Sequence, residues 1–549
     1  MKMNIKNIFS AVAAAAMLTA CIGDLNTIPL NETDVTSETA YGADEQGYVQ
    51  GLTKIYFQLV SNNTQDLQVA DGGASEFIRA FWSTQEVTAD AAKCAWGDAW
   101  VNDLNNNTWK GDVLNDAVYA VYVRTLQGVT YVNEYLRQTS DANLDLRGVP
   151  ADVKAKIQSY RAEARFLRAY FYWAAMDTFG QVPFATENSP FGGGYNPPQT
   201  PATEIFNFIV EELNDLASET SAMPAAQSNY PRADKGSVLG LLARVYLNAE
   251  VYTGTAMWAE AKTTCEKIFG LGYKLAPTHA ELFRGDNGEN PDAKGEMLFA
   301  AAYNAEHTQS YGGTTYLTLS TLKGGSETEA AESLTLTGIN GGWAGNRVPY
   351  GYVAKWFTDV KGANYETGEY TYTDKRAGYF YIKGRSESME DNLNTFLNGW
   401  SCIKFNNTPH DVDPVDYYST AVVKNFSDID FPLIRLGEIN LIYAEACMYA
   451  GGDASSQVKA LADRAGVAAP KTIDADFLLA ERSRELMWEA HRRTDLIRFG
   501  KWISGYNWTY KGGNFAGQNL PEHFNVFPVP STELSTNLDL EQNPGYAKP

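Results

Sequence analysis

The sequence predicts a mainly α fold: a tetratricopeptide-like helical frame with an irregular, loop-rich C-terminal subdomain. Three observations predict it. Long stretches in both halves of the 549-residue chain repeat apolar residues at three- and four-residue spacing, the stripe of an amphipathic helix. Residues 232–269 and 436–465 each read as two helices joined by a glycine turn, within about 35 residues, the size of a tetratricopeptide unit. Between them, residues 271–432 are rich in Gly, Thr, Tyr and Asn and lose the helical period. A segment that long is not a single loop.

Taken in order, the chain opens with Lys2 and Lys6, a short apolar run over 8–20, and Leu18-Thr19-Ala20-Cys21. The run is too short for a permanent membrane span. Small residues before a lone cysteine make a lipoprotein signal, with lipid expected on the Cys21 thiol. Residues 1–20 are thus read as a leader, 21–270 as the N-terminal helical region, and 271–549 as the loop-rich part with its closing helices. Residues 22–41 are polar and read as a tether. Helices are expected over about 43–59, 114–138 and 151–179, with a loop-rich stretch over 60–112.

The helix at 151–179 is the element on which the rest packs. Ile157, Tyr160, Ala164, Leu167, Phe171 and Ala174 form its stripe, and Arg161, Glu163, Arg165 and Arg168 mark its other sides. Phe166, Tyr170, Phe171, Tyr172 and Trp173 are too aromatic for a free surface. Gly180 stops the helix and Pro183 prevents its resumption. A helix over 203–218 follows. Asp234 caps the next one, Gly254 breaks it, and 255–269 returns. The pair at 436–450 and 455–465 and a long helical segment over 475–500 complete the frame.

Composition excludes several functions. A net charge of −22 opposes nucleic acid, whose affinity for proteins comes largely from Lys and Arg on phosphates. HExxH, GxSxG, P-loop and GxGxxG motifs are absent, the five histidines are dispersed, and no carboxylate pair is singled out for glycoside hydrolysis. Carboxylates are plentiful, so a glycosidase pair stays open at this point, and the absence of enzymatic activity is an expectation that comes only from the family resemblance given below. Cys94, Cys265, Cys402 and Cys447 are scattered without a CxxC pair, so their spacing proposes no disulfide. Tyr 32 and Trp 12 exceed what a helical core needs, and exposed rings are a common means of carbohydrate recognition.

Three rings stand among glycines that let them clear the backbone: Trp96 in AKCAWGDAW, Tyr311 in SYGGTTYL and Trp343 in GINGGWAGN. Each is a candidate to stack on the apolar face of a sugar, the alternative being a loop anchor tucked into the core. Asp71 and Arg79 in VADGGASEFIR precede the Trp96 loop and are candidates to orient hydroxyls, with a structural ion pair as the alternative. Asp428 and Asp430 in FSDIDFP are spaced to hold a hard cation such as calcium, with Asp286 and Glu289 in GDNGEN as further oxygens. The alternative there is a capped turn with surface charge.

Several segments stand in a recognisable order: RAEARFLRAYFYWAAMDTFGQVPF, RADKGSVLGLLARVYLNAEVYTG, DFPLIRLGEINLIYAEA, ELMWEAHRRTDLIRFGKW, and the closing FPVPSTEL with QNPGY. Together they resemble the SusD/RagB family of surface glycan-binding lipoproteins of Bacteroidetes, over nearly the whole chain after the leader. The resemblance implies an outward-facing outer-membrane lipoprotein that sits on a SusC-type TonB-dependent transporter. Such a protein captures oligosaccharides and delivers them without cleaving them. YGGTTYL, NGGW, RADK and YLNAEVYTG resemble the starch-binding founder of the family, in which an aromatic arc matches the curvature of helical α-1,4-glucan.

By that resemblance Tyr311, Trp343 and Trp96 fall on arc positions, and Asp71 and Arg79 on sugar-contacting ones. An arc tryptophan two residues before Trp96 becomes Cys94. A sugar-contacting asparagine becomes Ala99, with Asp98 and Asn102 nearby. The family's calcium-like site maps to Asp428 and Asp430, and its other acidic position is Gly288. The expectation is therefore cell-surface binding of starch-like α-glucan oligosaccharides through Trp96, Tyr311, Trp343, Asp71, Arg79 and Asp98. No cofactor is required, and a structural calcium at Asp286, Asp428 and Asp430 is the one ion suggested. The alternatives are another glycan (a fructan, dextran or host glycan), a helical glycoside hydrolase, or a tetratricopeptide adapter that binds no sugar.

Overall fold

The computed structural model describes residues 40–549, apart from 63–66, 68, 70, 193, 324–327, 391 and 422. The leader and Cys21 lie outside the described residues. The frame is built from α1 (Gln46–Val60), α2 (Phe77–Trp82), α3 (Asp116–Gln138), α4 (Ala151–Phe179), α5 (Ala202–Ala217), α6 (Lys235–Leu247), α7 (Trp258–Phe269), α8 (Gly313–Leu319), α9 (Leu436–Ala450), α10 (Ser455–Ala465), α11 (Ala475–Glu485) and α12 (Arg492–Arg498). Successive neighbours stack: α3 on α4, α4 on α5, α5 on α6 and α6 on α7. The series then continues onto α9 and α10, nearly 170 residues further along the chain (Phe269 to Leu436). The frame is thus shared by both halves, with one large core running through it.

Helix α4 is its axis. Phe166, Tyr170, Phe171, Tyr172 and Trp173 are all buried. Gly128 of α3 admits the Phe171 ring, since a Cβ there would stand 2.6 Å from it. Glu163 and Arg168, expected on the open sides of α4, are buried too. The helix is enclosed all round, and these charges survive by pairing: Glu163 with Arg232, and Arg168 with Glu187 at 2.5 Å and Glu212 at 2.9 Å. The stop is as expected, with Gly180 at φ +72° and its N–H returned to the Met176 carbonyl. Asp234 caps α6 through a capping box with Ser237.

The long helix expected over 475–500 is two helices, α11 and α12. The chain turns between them, with Trp488 at φ +64° and Ala490 at φ +63°. The turn drives Trp488 inward against Trp82, 5.1 Å between centroids, and aims Glu489 at Arg435 and Lys404. Arg435 also pairs with Glu296 and Glu485. Arg376 and Arg464 join the same buried carboxylates.

The irregular part is fastened to the frame by short strands: β1 (Lys93–Cys94), β2 (Met297–Ala301), β3 (Asn346–Arg347) and β4 (Phe431–Arg435). Strand β2 pairs antiparallel with β4 in the core. Strand β1 pairs with β3, Lys93 opposite Arg347 and Cys94 opposite Asn346. The stretch at 60–112, expected as loops, is largely interior, with α2 buried along its whole length. Cys94, Cys265, Cys402 and Cys447 are free thiols, all buried.

Candidate functional site

The β1–β3 pairing decides where the rings go, because it continues into the two tryptophan loops. Ala95 N–H donates to the Gly345 carbonyl at 2.8 Å, and Trp343 N–H donates to the Leu319 carbonyl at 2.7 Å. Gly345 lies at φ +118°, and a Cβ there would come within 2.5 Å of the Trp96 indole nitrogen. Glycine is therefore the residue that lets Trp96 lie against the Trp343 loop. The Trp96 edge meets Tyr316 of α8 at 5.8 Å. The Arg79 guanidinium sits over both rings, 4.3 Å from the Tyr316 centroid and 5.3 Å from that of Trp96.

Arg79 is only 2% exposed, and its Nη2 donates to Asp71 Oδ2 at 2.5 Å. The other oxygen of Asp71 accepts from Gly73 N–H at 2.9 Å and caps the turn that follows. Sequence reasoning offered Arg79 as a group that meets hydroxyls. The structure makes it the inner partner that fixes Asp71 and Trp96, and it leaves the half-exposed Asp71 carboxylate on the surface. Gly73 joins this ledge to the next ring, since a Cβ on it would stand 2.6 Å from the Tyr311 carbonyl oxygen.

Tyr311 is 54% exposed. Its ring stands 6.0 Å from Trp343 at an interplanar angle of 51°, and 5.1 Å from Phe426 at 50°. The Phe426 loop is tied to the Trp343 loop by Asn340 N–H, which donates to the Lys424 carbonyl at 2.9 Å. Trp343 and Phe426 are half-buried, and Tyr311 lies parallel to neither of them. An apolar cleft of about 270 Å³, lined by Leu52, Tyr56, Phe57 and Ala301, contains none of the candidate residues. We place the site on the ring surface, because stacking needs an exposed face and not an enclosed volume.

Beneath Tyr311 lies Glu76, fully buried. The hydroxyls of Tyr303 and Ser310 both donate to its carboxyl. Gly312 and Gly313 cross directly over it, and a Cβ on Gly312 would collide with the carboxyl.

Asp98 stands exposed at the start of the helix Ala99–Asn106, and its side chain makes no capping bond. Beside it, Asn102 Nδ2 donates to the Gly97 carbonyl at 3.2 Å, and Asn394 Nδ2 to the Ala95 carbonyl at 3.1 Å. Sequence reasoning missed Phe426 and Asn394. Phe426 sits in FSDIDFP, a motif that draws attention to its acids. Asn394 reaches Trp96 from nearly 300 residues away, and nothing in its local sequence marks it.

The acidic candidates are each taken up by donors of the protein itself. Asp428 accepts from Ala305 N–H at 3.1 Å, Lys424 Nζ at 2.8 Å and Asn407 Nδ2 at 3.2 Å. Asp430 accepts from Tyr303 N–H at 2.8 Å and the Tyr230 hydroxyl at 2.6 Å. Asp286 holds the backbone and ring of His410, at 3.0 and 2.6 Å. Asp428 and Asp430 fasten the segment at 303–305, and Asp286 fastens His410. A Cβ at Gly288 would stand 2.5 Å from Asp430. Among the described residues no group of three or more His, Cys, Asp or Glu is placed to hold a metal ion. Asp286, Asp428 and Asp430 do not fit the expected calcium site, and none is proposed.

Comparison with known proteins agrees with this architecture. A profile described as "SusD family" matches residues 276–546, and one described as "Starch-binding associating with outer membrane" matches 58–247. The chain is 30% identical to the starch-binding protein SusD of Bacteroides thetaiotaomicron, over 99% of both chains. It is 26% identical to SusD-like protein P2 of Formosa agariphila, covering 88% of this chain and 93% of that one. Among solved structures, a SusD superfamily protein from Parabacteroides distasonis superposes with a TM-score of 0.68 at 18% identity, over 93% of this chain and all of the other. Surface glycan-binding protein A from Bacteroides thetaiotaomicron, in complex with laminarihexaose, superposes with a TM-score of 0.67 at 18% identity, over 91% and 99%.

Proposed function

The chain belongs to the SusD family, and from that premise we propose that it is a non-enzymatic, cell-surface lipoprotein that binds starch-like α-1,4-glucan oligosaccharides. One observation carries the glycan reading: the exposed Tyr311 ring stands between the half-buried rings of Trp343 and Phe426, tilted by about 50° to each of them. Parallel rings suit a flat ribbon, whereas tilted rings suit a chain that curves, as α-1,4-glucan does. Kinship over 99% of a starch-binding relative supports that choice of glucan.

In this reading Tyr311, Trp343 and Trp96 stack on sugar faces. Asp71, held in place by Arg79, accepts from hydroxyls. Asp98, Asn102 and Asn394 form a polar rim at Trp96, where the side chain at 99 is only a methyl group. The Asp71 carboxylate is already tied to Arg79 and Gly73, an arrangement for binding rather than for the paired acid and base of a hydrolase. Anchoring through Cys21 and delivery to a SusC-type TonB-dependent transporter complete the proposal.

Calorimetric titration of the protein lacking its leader tests it, with maltoheptaose, a cyclic α-glucan and laminarihexaose as ligands. The expected result is heat with both α-glucans and a Kd near the millimolar range, which requires only about −4 kcal/mol. Trp343→Ala should remove most of that heat, and no new reducing ends should form. Heat from laminarihexaose alone would overturn the α-glucan assignment.

A further inference from the structure

We propose that Glu76 is a positioning residue for the glycan face, and that its protonation state sets whether the Tyr311 turn is held against the Asp71–Arg79 ledge. This inference rests on the proposed function for its ligand, but not for its first readout. Glu76 is the residue between the capped turn Gly72–Ser75 and α2, so its backbone belongs to the segment that carries Asp71 and Arg79. Its side chain belongs to the other segment: it receives the Ser310 and Tyr303 hydroxyls and lies under Gly312 and Gly313. Ser310 Oγ in turn accepts from Gly312 N–H at 3.0 Å. One carboxyl therefore joins the two segments that place Asp71 and Tyr311.

Groups from every side bear on it. Arg79 of α2 and Arg124 of α3 are the cations that face it. Tyr303 and Ser310 approach from the loop after β2, and Asp430, the residue before β4, holds the backbone of Tyr303. Burial dominates and pushes the Glu76 carboxyl up to about 8, against the opposing pull of Ser310, Tyr303, Arg124 and Arg79. At neutral pH the protonated acid therefore predominates beneath Gly312 and Gly313. Above about 8 it becomes a buried anion, and it competes with Asp71 for Arg79. The expected consequence is that the turn loosens and binding weakens as pH rises through this value.

The first readout needs no sugar. Trp343 faces Tyr311, so the fluorescence lost on Trp343→Phe reports the turn. Titrated from pH 6 to 9.5, that component should change in one step near pH 8 in wild type and stay level in Glu76→Gln. Ser310→Ala removes a hydrogen bond that lowers the carboxyl's pKa, so its step should move upward. The second readout is maltoheptaose affinity, expected to fall about fivefold or more from pH 7 to 9 in wild type, and less than twofold in Glu76→Gln. The absence of any fluorescence step, or a step that persists in Glu76→Gln, would overturn the proposal. A step with no sugar heat at any pH would support the role of Glu76 and strike the α-glucan reading instead.

Discussion

At the scale of single residues, the site depends on glycines as much as on rings. Gly345 holds φ +118° and gives Trp96 its seat. Gly345→Ala adds a methyl group 2.5 Å from the indole nitrogen and strains the backbone, at a cost on the order of 1–3 kcal/mol. We expect maltoheptaose affinity to fall several-fold in this variant while the helical content seen by circular dichroism is unchanged. Wild-type affinity would show that Trp96 takes no part in binding. Trp96, Tyr311 and Trp343 were legible in the sequence because each is a large ring among glycines. For Arg79 the sequence offered a structural ion pair as the alternative to a hydroxyl contact, and only tertiary packing supplies the two rings that cover it. Glu76 was equally hidden, since its partners Tyr303 and Ser310 lie more than 220 residues away.

At the scale of elements, the helices were the legible part. Helices α4, α9 and α10 fall where periodicity put them, because amphipathic spacing and glycine stops are local signals. The segment over 475–500 misled because its propensity is helical throughout. Tertiary demand breaks it, as the turn at 486–491 must carry Trp488 and Glu489 into the core.

That turn also completes a buried charge cluster. Burial alone would raise the Glu485 carboxyl, but Arg464, His279, Arg435 and Arg376 reverse this and hold it well below the usual range. A carboxyl lowered in the fold adds stability above its unfolded pKa, and that contribution is lost as pH falls toward the folded value. Arg435→Met leaves Glu296, Glu485 and Glu489 short of a cation. We expect it to cost about 3–5 kcal/mol at pH 7 in denaturant unfolding, and to flatten the loss of stability below about pH 4.5. Unchanged stability would mean that Arg376, Arg464 and Lys404 balance the cluster without it.

At the scale of the whole molecule, the frame closes only when α9 from the second half stacks on α7 from the first, with α10 packed on α9. The boundary read at residue 270 therefore divides the sequence and not the core. No described helix is long and apolar enough to cross a membrane. In the proposed reading, membrane attachment rests on lipid at Cys21. In fractionated cells the wild-type chain should sediment with the outer membrane and cross-link to a TonB-dependent barrel, while Cys21→Ala should shift to the soluble fraction. A Cys21→Ala chain that stays with the membrane would remove the lipid from the proposal.

The separation of the rings has a consequence for how a ligand leaves. Tyr311, Trp343 and Trp96 are carried by different segments and offer three distinct footholds rather than one deep socket. A sugar chain on such footholds can peel away one ring at a time, and each step has only a small barrier to cross. A grip of this kind suits a protein whose task is to hold a chain briefly and then let it go.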